Sequence, residues 1–128
     1  MRINKLAIAL TGSLVVVVAN ATPVSERMIT TFEAASGKSA DAAAGEAFWN
    51  RDFNGKSCTT CHGSDVKQVG QHAKTKKAIE PLAPSVNPER LTQDHKINKW
   101  FLRNCKWTLG RECTPAEKGD ILLWLSNQ

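Results

Sequence analysis

The chain has no tyrosine, and only four phenylalanines and four tryptophans are spread over its 128 residues. So little aromatic material makes a small core for a domain of this length, one that a buried apolar group would help to complete. Methionine is scarcer still: Met1 and Met28 are the only two, so none follows residue 28. One uncharged apolar run stands at residues 6–19, and no second run of membrane length comes after it. That excludes a chain that crosses a bilayer repeatedly. A strong charge of either sign is missing too. With 17 lysines and arginines against 12 aspartates and glutamates the net charge is +5, too mild by itself to argue for nucleic acid as a partner.

The single apolar run belongs to a leader. Arg2 and Lys5 give it a positive start, its 14 residues fall short of a span, and Ala19-Asn20-Ala21 ends it on a small-x-small site. A bilayer crossing needs about 20 residues, so a cleaved export signal at 1–21 is expected rather than an anchor. Cleavage before Thr22 leaves one 107-residue domain at 22–128 in the periplasm. Without Arg2 and Lys5, 15 basic residues face 12 acidic ones, and the mature charge is +3.

Residues 57–63 read Ser-Cys-Thr-Thr-Cys-His-Gly, the attachment pattern of haem c. The spacing suits the chemistry. Cys58 and Cys61 each add to one vinyl group on the same edge of the macrocycle, and His62 lies beneath the ring as proximal iron ligand. Two other uses of a Cys-x-x-Cys pair compete. A dithiol oxidoreductase needs a thioredoxin-like strand–helix setting that is not evident here. A zinc site built from all four cysteines leaves His62 and the wide gap between Cys105 and Cys113 unexplained. In an exported protein those last two cysteines are most simply a disulfide. Closing so short a loop contributes roughly 2.5 kcal/mol on the chain-entropy account.

The rest of the chain reads as helix. Met28, Ile29 and Phe32 share a face of a helix at 25–35 that Gly37 ends. A second helix is expected over 41–51, where Gly45 in mid-helix signals close approach of another backbone. Residues 65–87 read as loop, basic through Lys67, Lys74, Lys76 and Lys77 and stiffened by proline. Pro81 or a neighbour there is expected to offer a carbonyl to the second ring nitrogen of His62, and the lysines are either a solvated face or a docking patch. Asn87-Pro88-Glu89 looks like a helix start, with a possible restart at Thr92, and the helix runs to about Asn104. On it Ile97, Trp100, Phe101 and Asn104 fall on one face. A last helix opens at Thr114 with Pro115 and Glu117 in a capping box, and its stripe of Ile121, Trp124 and Leu125 is expected to pack on the helix carrying Gly45 and Trp49.

The second axial ligand is where function divides. A small electron-transfer cytochrome commonly closes its iron with a methionine, and none follows His62. His72, His95, Met28, a lysine and Asn104 are the candidates, alongside an open site. His72 lies only ten residues past His62 in the lysine-rich stretch, His95 sits among polar neighbours, and Met28 would have to arrive from the first helix. Asn104 stands on an apolar face beside Cys105, where it would otherwise be a buried residue capping its own helix.

From residue 42 to residue 125 the chain resembles the SHP (sphaeroides haem protein) group of asparagine-ligated, oxygen-binding cytochromes c. The likeness is carried by the haem motif, by Pro-Leu-Ala-Pro-Ser at 81–85, by Arg-Asn-Cys at 103–105 and by Gly-Arg-Glu-Cys-Thr-Pro-x-Glu-Lys at 110–118. The resemblance implies an all-α, class I cytochrome c fold, four to five helices wrapped around one covalently attached haem c. It implies His62 and Asn104 as axial ligands in the oxidised state and a Cys105–Cys113 disulfide on the distal side. It also implies that Asn104 leaves the iron on reduction, opening it to a diatomic gas ligand such as O2 or NO. The electron donor implied is a dihaem cytochrome c, itself linked to a membrane cytochrome b. A monomer is expected, with no nucleic-acid partner. Turnover of the gas is left open, and the alternative is a plain electron carrier, six-coordinate in both oxidation states.

Overall fold

Three of the four long helices begin where a short polar side chain satisfies their first amides. A computed structural model describes residues 21–128; the leader expected at 1–21 lies, except for Ala21, outside the described residues. Helix α1 (Pro23–Ser36) is capped by Thr22, whose hydroxyl accepts the Ser25 N–H at 3.1 Å, and it ends at Gly37 with φ of 69°. Helix α2 (Ala42–Asn50) is capped by Asp41, which accepts the Ala43 N–H at 2.8 Å. Helix α5 (Pro115–Ser126) starts on the capping box read from the sequence: Thr114 accepts the Glu117 N–H, and the Glu117 carboxylate accepts the Thr114 N–H. Between these stand the short α3 (Thr59–His62), the paired strands β1 (Gly70–Gln71) and β2 (Ala78–Ile79), and the longest helix, α4 (Asp94–Leu109).

Arg111 grips the same Glu117, with Nη1 and Nη2 each donating to a carboxylate oxygen at 2.8 Å. That hydrogen bond holds the Glu117 carboxyl below the usual carboxylate range, against the opposing effect of partial burial. Glu117→Ala is expected to cost about 1 kcal/mol at pH 7, most of it from the lost cap, because the exposed ion pair is screened. The folded-state pKa lies below the unfolded one, so the ionised group's contribution is present above the ordinary carboxylate range and is lost as pH falls through the lower, folded value. Urea midpoints at pH 7 and pH 3 check this: the gap between wild type and variant should narrow in acid.

Helix α5 is the centre of the packing. It lies against both α2 and α1, which is why Ile121, Leu122, Trp124 and Leu125 are all buried rather than only one stripe of them. On the α2 side Trp124 meets Trp49 with ring centroids 5.3 Å apart, as expected from the stripe. Gly45 allows the contact: a Cβ there would stand 2.1 Å from the Asp120 carbonyl oxygen. On the other side Leu122 joins Met28, Ile29 and Ile97 in a second buried cluster.

Two segments differ from their sequence reading. Asn87-Pro88-Glu89 does not start a helix; the chain turns there, and α4 begins only after Gln93. Asn87 turns its amide away from capping and donates it to the Pro81 carbonyl at 3.0 Å. Leu91 then adopts φ of 59°, a left-handed conformation that a leucine takes only when its surroundings impose it. Here its side chain packs against both buried clusters, and its carbonyl accepts the Thr22 hydroxyl. Helix α4 also runs past Asn104 to Gly110, whose φ of 74° ends it. In the stretch read as loop, β1 and β2 form a small antiparallel hairpin pairing Gly70 with Ile79 and Gln71 with Ala78.

Candidate functional site

Ser57 sets the attachment motif in place. Its hydroxyl accepts the Thr59 N–H at 3.1 Å, its own N–H goes to the Thr60 hydroxyl at 3.0 Å, and the chain closes into the single turn of α3. The amides of Cys61 and His62 both bond back to the Cys58 carbonyl, at 3.4 and 3.2 Å. Gly63, at φ of 72°, ends the turn. Both thiols are free and half-buried. Burial is the main influence on the Cys58 thiol and pushes its pKa up to about 11, with Cys61 adding to the rise. A redox dithiol needs the opposite shift, toward thiolate at neutral pH. Among the described residues no group of three or more potential ligands gathers around a metal site, and Cys105 and Cys113 are joined to each other with Cα atoms 5.6 Å apart. The dithiol and zinc alternatives therefore find no support.

His62 lies against Trp49, ring centroids 5.3 Å apart. Burial, with the Arg90 guanidinium's positive charge as a second cause, lowers its pKa to about 4. At neutral pH the imidazole is thus uncharged, the form in which a ring nitrogen ligates iron. The expected carbonyl from Pro81 is already engaged: it accepts the Asn87 amide at 3.0 Å and the Arg90 Nε–H at 2.9 Å. The second Arg90 nitrogen reaches the Glu80 carbonyl at 2.7 Å. Sequence patterns carried no signal for Arg90, because its role is a tertiary one.

The candidates for the distal ligand separate clearly. Met28 is packed with Ile29, Ile97 and Leu122 in the core. The exposed His72 uses Nδ1 to accept the Lys74 and Thr75 amides inside the hairpin turn. His95 is solvated beside Asp94. Asn104 is neither buried nor a cap: it is exposed, inside α4, five residues before the helix ends. One turn to either side stand Trp100 and Trp107, at 46% and 43% exposure. A ridge of two partly exposed indoles around a neutral amide is what a flat apolar group would cover. Lys56, next to the attachment motif, closes across to this helix, its ammonium 4.9 Å from the Trp107 ring centre and donating to the Trp107 carbonyl at 3.2 Å. Cys58 in turn packs against the buried cluster that contains Cys105 and Cys113. Two free thiols, an uncharged imidazole and this apolar ridge fit a covalently held haem.

A helical domain with these groups is a small c-type cytochrome. The family described as a domain of unknown function (DUF1924) matches residues 35–125. The cytochrome c-type protein SHP of Cereibacter sphaeroides is 49% identical over 107 residues, which is 80% of this chain and 82% of that protein. A structure of oxidised SHP, described as an oxygen-binding cytochrome c, matches with a TM-score of 0.78 and 43% identity, over 86% of this chain and 100% of that one. The solution structure of cytochrome c'' from Methylophilus methylotrophus, a study of the structural basis of haem-ligand detachment, matches with a TM-score of 0.70 and 31% identity, over 81% and 93% of the two chains. The chain belongs to the SHP family of cytochromes c, all-α proteins with one covalently attached haem.

Proposed function

We propose that this protein is a periplasmic cytochrome that takes up one electron at its haem and, on reduction, releases Asn104 from the iron to bind a diatomic ligand of the O2 or NO kind. The observation that carries the reading is the placement of Asn104, a neutral amide in the middle of the exposed Trp100–Trp107 ridge in a chain with no methionine after His62. The relatives support it: one is described as oxygen-binding, and another was studied for detachment of a haem ligand.

Haem c, when bound, supplies a single iron that alternates between ferric and ferrous and takes axial ligands. Cys58 and Cys61 hold it by thioethers, each S–H adding across a vinyl C=C, with sulfur going to one carbon and hydrogen to the other. His62 presents a neutral imidazole on one side, with Trp49 packed against the ring to limit its rotation. Asn104 offers an uncharged amide on the other. An amide would be a weak ligand for the softer ferrous state, so Asn104 is the side chain that could leave the iron on reduction. Its N–H group could then donate a hydrogen bond to a diatomic ligand. The Cys105–Cys113 link restrains Asn104 from the residue after it. A dihaem cytochrome c, itself fed by a membrane cytochrome b, fits as the donor. The protein acts as a monomer after removal of residues 1–21.

Carbon monoxide tests the open ferrous site. Added to dithionite-reduced protein, it should shift the Soret band at once, to a fully CO-bound spectrum at sub-millimolar gas. A reduced haem indifferent to CO would overturn gas binding and leave a six-coordinate electron carrier.

A further inference from the structure

Four lysines between the attachment motif and residue 80, namely Lys67, Lys74, Lys76 and Lys77, are exposed, and among the described residues none of them is paired with a carboxylate. In sequence they flank the most exposed large apolar side chain described, Val69, at 59%. The hairpin that carries Lys74, Lys76 and Lys77 is fixed to the haem motif at two points. A Cβ on Gly70 would stand 2.4 Å from the Cys61 carbonyl oxygen, so the two backbones are in direct contact. Two residues beyond β1, the Ala73 N–H points at the Cys61 sulfur at 3.4 Å. The turn itself is braced, since the His72 ring nitrogen accepts the Lys74 and Thr75 amides, and the His72 and Lys77 backbones are bonded at 2.8 Å.

We propose that this hairpin is the docking surface for an acidic, one-electron donor protein, and that the electron enters at the Cys61 edge of the haem. The inference rests on the electron-uptake reading above and adds to it the face used and the sign of the partner's charge. An apolar centre with a charged rim is the anatomy of a small transient interface. A surface that is already rigid loses little entropy when the partner arrives. Unpaired lysines around it draw in an acidic partner by long-range attraction. The carboxylates nearest in sequence are Asp65 and Glu80, and Asp65 is turned to the Lys67 backbone amide at 2.9 Å.

The other basic face, along α4, is less available. There Lys99 and Arg103 lie over the Trp100 ring at 5.1 and 5.6 Å, and Lys106 stands 3.8 Å from Glu112. Those cations already have partners within the chain. In the transfer itself one electron leaves the donor's redox centre and reduces the iron from ferric to ferrous, and no proton or bond is exchanged.

Stopped-flow reduction of the haem-loaded ferric protein tests the proposal, with reduced plant-type ferredoxin as the acidic donor and photoreduced lumiflavin as a small neutral one. The triple variant K74E/K76E/K77E should lower the ferredoxin rate constant at low salt by about 30-fold and flatten or reverse its dependence on ionic strength. The lumiflavin rate should stay within about twofold, since a neutral reductant feels no steering. The matched variant K99E/R103E/K106E on α4 should change the ferredoxin rate far less. Equal losses in both variants, a larger loss in the α4 variant, or no loss in either would overturn the proposal. Carbon monoxide binding, measured on the same lumiflavin-reduced samples, reports on gas binding separately, so failure there leaves the docking result readable.

Discussion

On the proposed reading, Asn104→Met is expected to turn a ferrous protein that binds carbon monoxide at once into one that excludes it, and to raise the reduction potential by roughly a hundred millivolts or more, within the span of about 0.8 V that axial ligands command. The effect is large because two terms change together. A thioether favours ferrous iron, where an amide does not, so reduction would become easier and would leave the new ligand in place. The new side chain is also unbranched and flexible enough to reach where the shorter amide did. Asn104 lies inside α4, with the helix continuing to Leu109, so the substitution keeps the helical backbone and costs little propensity. Spectra of both oxidation states, a redox titration and CO binding are the three measurements. Unchanged spectra and potential would remove Asn104 from the iron. A raised potential with CO still binding would mean that the methionine does not hold the ferrous iron.

The attachment site was readable because its information is local. Cys58, Cys61 and His62 lie within five residues, and spacing alone brings them to one turn. The same holds for the Thr114 capping box and for Gly45, where a glycine in a helix signals the backbone packed on it. Asn104 was flagged by an absence, the missing methionine, but its surroundings were misjudged. The apolar face appeared to stop there, and nothing in Lys106-Trp107-Thr108 said whether the helix went on until Gly110 closed it. Hence Trp107, half of the exposed Trp100–Trp107 ridge, falls beyond a helix that the sequence pattern carries only to Asn104. Asn87-Pro88 carries a sound local cap signal that packing overrides, the amide of Asn87 going to the nearby Pro81 carbonyl and Leu91 being drawn into the core. The hairpin escaped because each strand is only two residues long, too short for any alternation to show. What the local pattern did not carry, in each case, was how one short segment is held by its neighbours in the fold.

The two glycines in the interiors of packed helices give a prediction in which sign matters as much as size. Replacing a mid-helix glycine by alanine ordinarily stabilises by up to about 1 kcal/mol, by reducing the freedom of the unfolded chain. At Gly119 in α5 an added Cβ would lie 3.5 Å from the Phe32 Cβ and 3.6 Å from the Ala40 Cβ, ordinary contact distances. Gly119→Ala is therefore expected to be neutral or stabilising by about 0.5–1 kcal/mol. At Gly45 in α2 the same atom would lie 2.1 Å from the Asp120 carbonyl oxygen and 2.5 Å from its carbon. Those are backbone atoms of α5 and cannot rotate aside, so the two helices must part. Their parting loosens the Trp49–Trp124 contact and, through Trp49, the packing on His62. Gly45→Ala should cost about 2–3 kcal/mol despite its better propensity, and Gly45→Val more, approaching the whole stability of a marginal domain. Urea unfolding of the haem-loaded proteins measures all three. A stabilising Gly45→Ala would mean that the two helices do not meet backbone to backbone, and would remove the contact that holds Trp49 against His62.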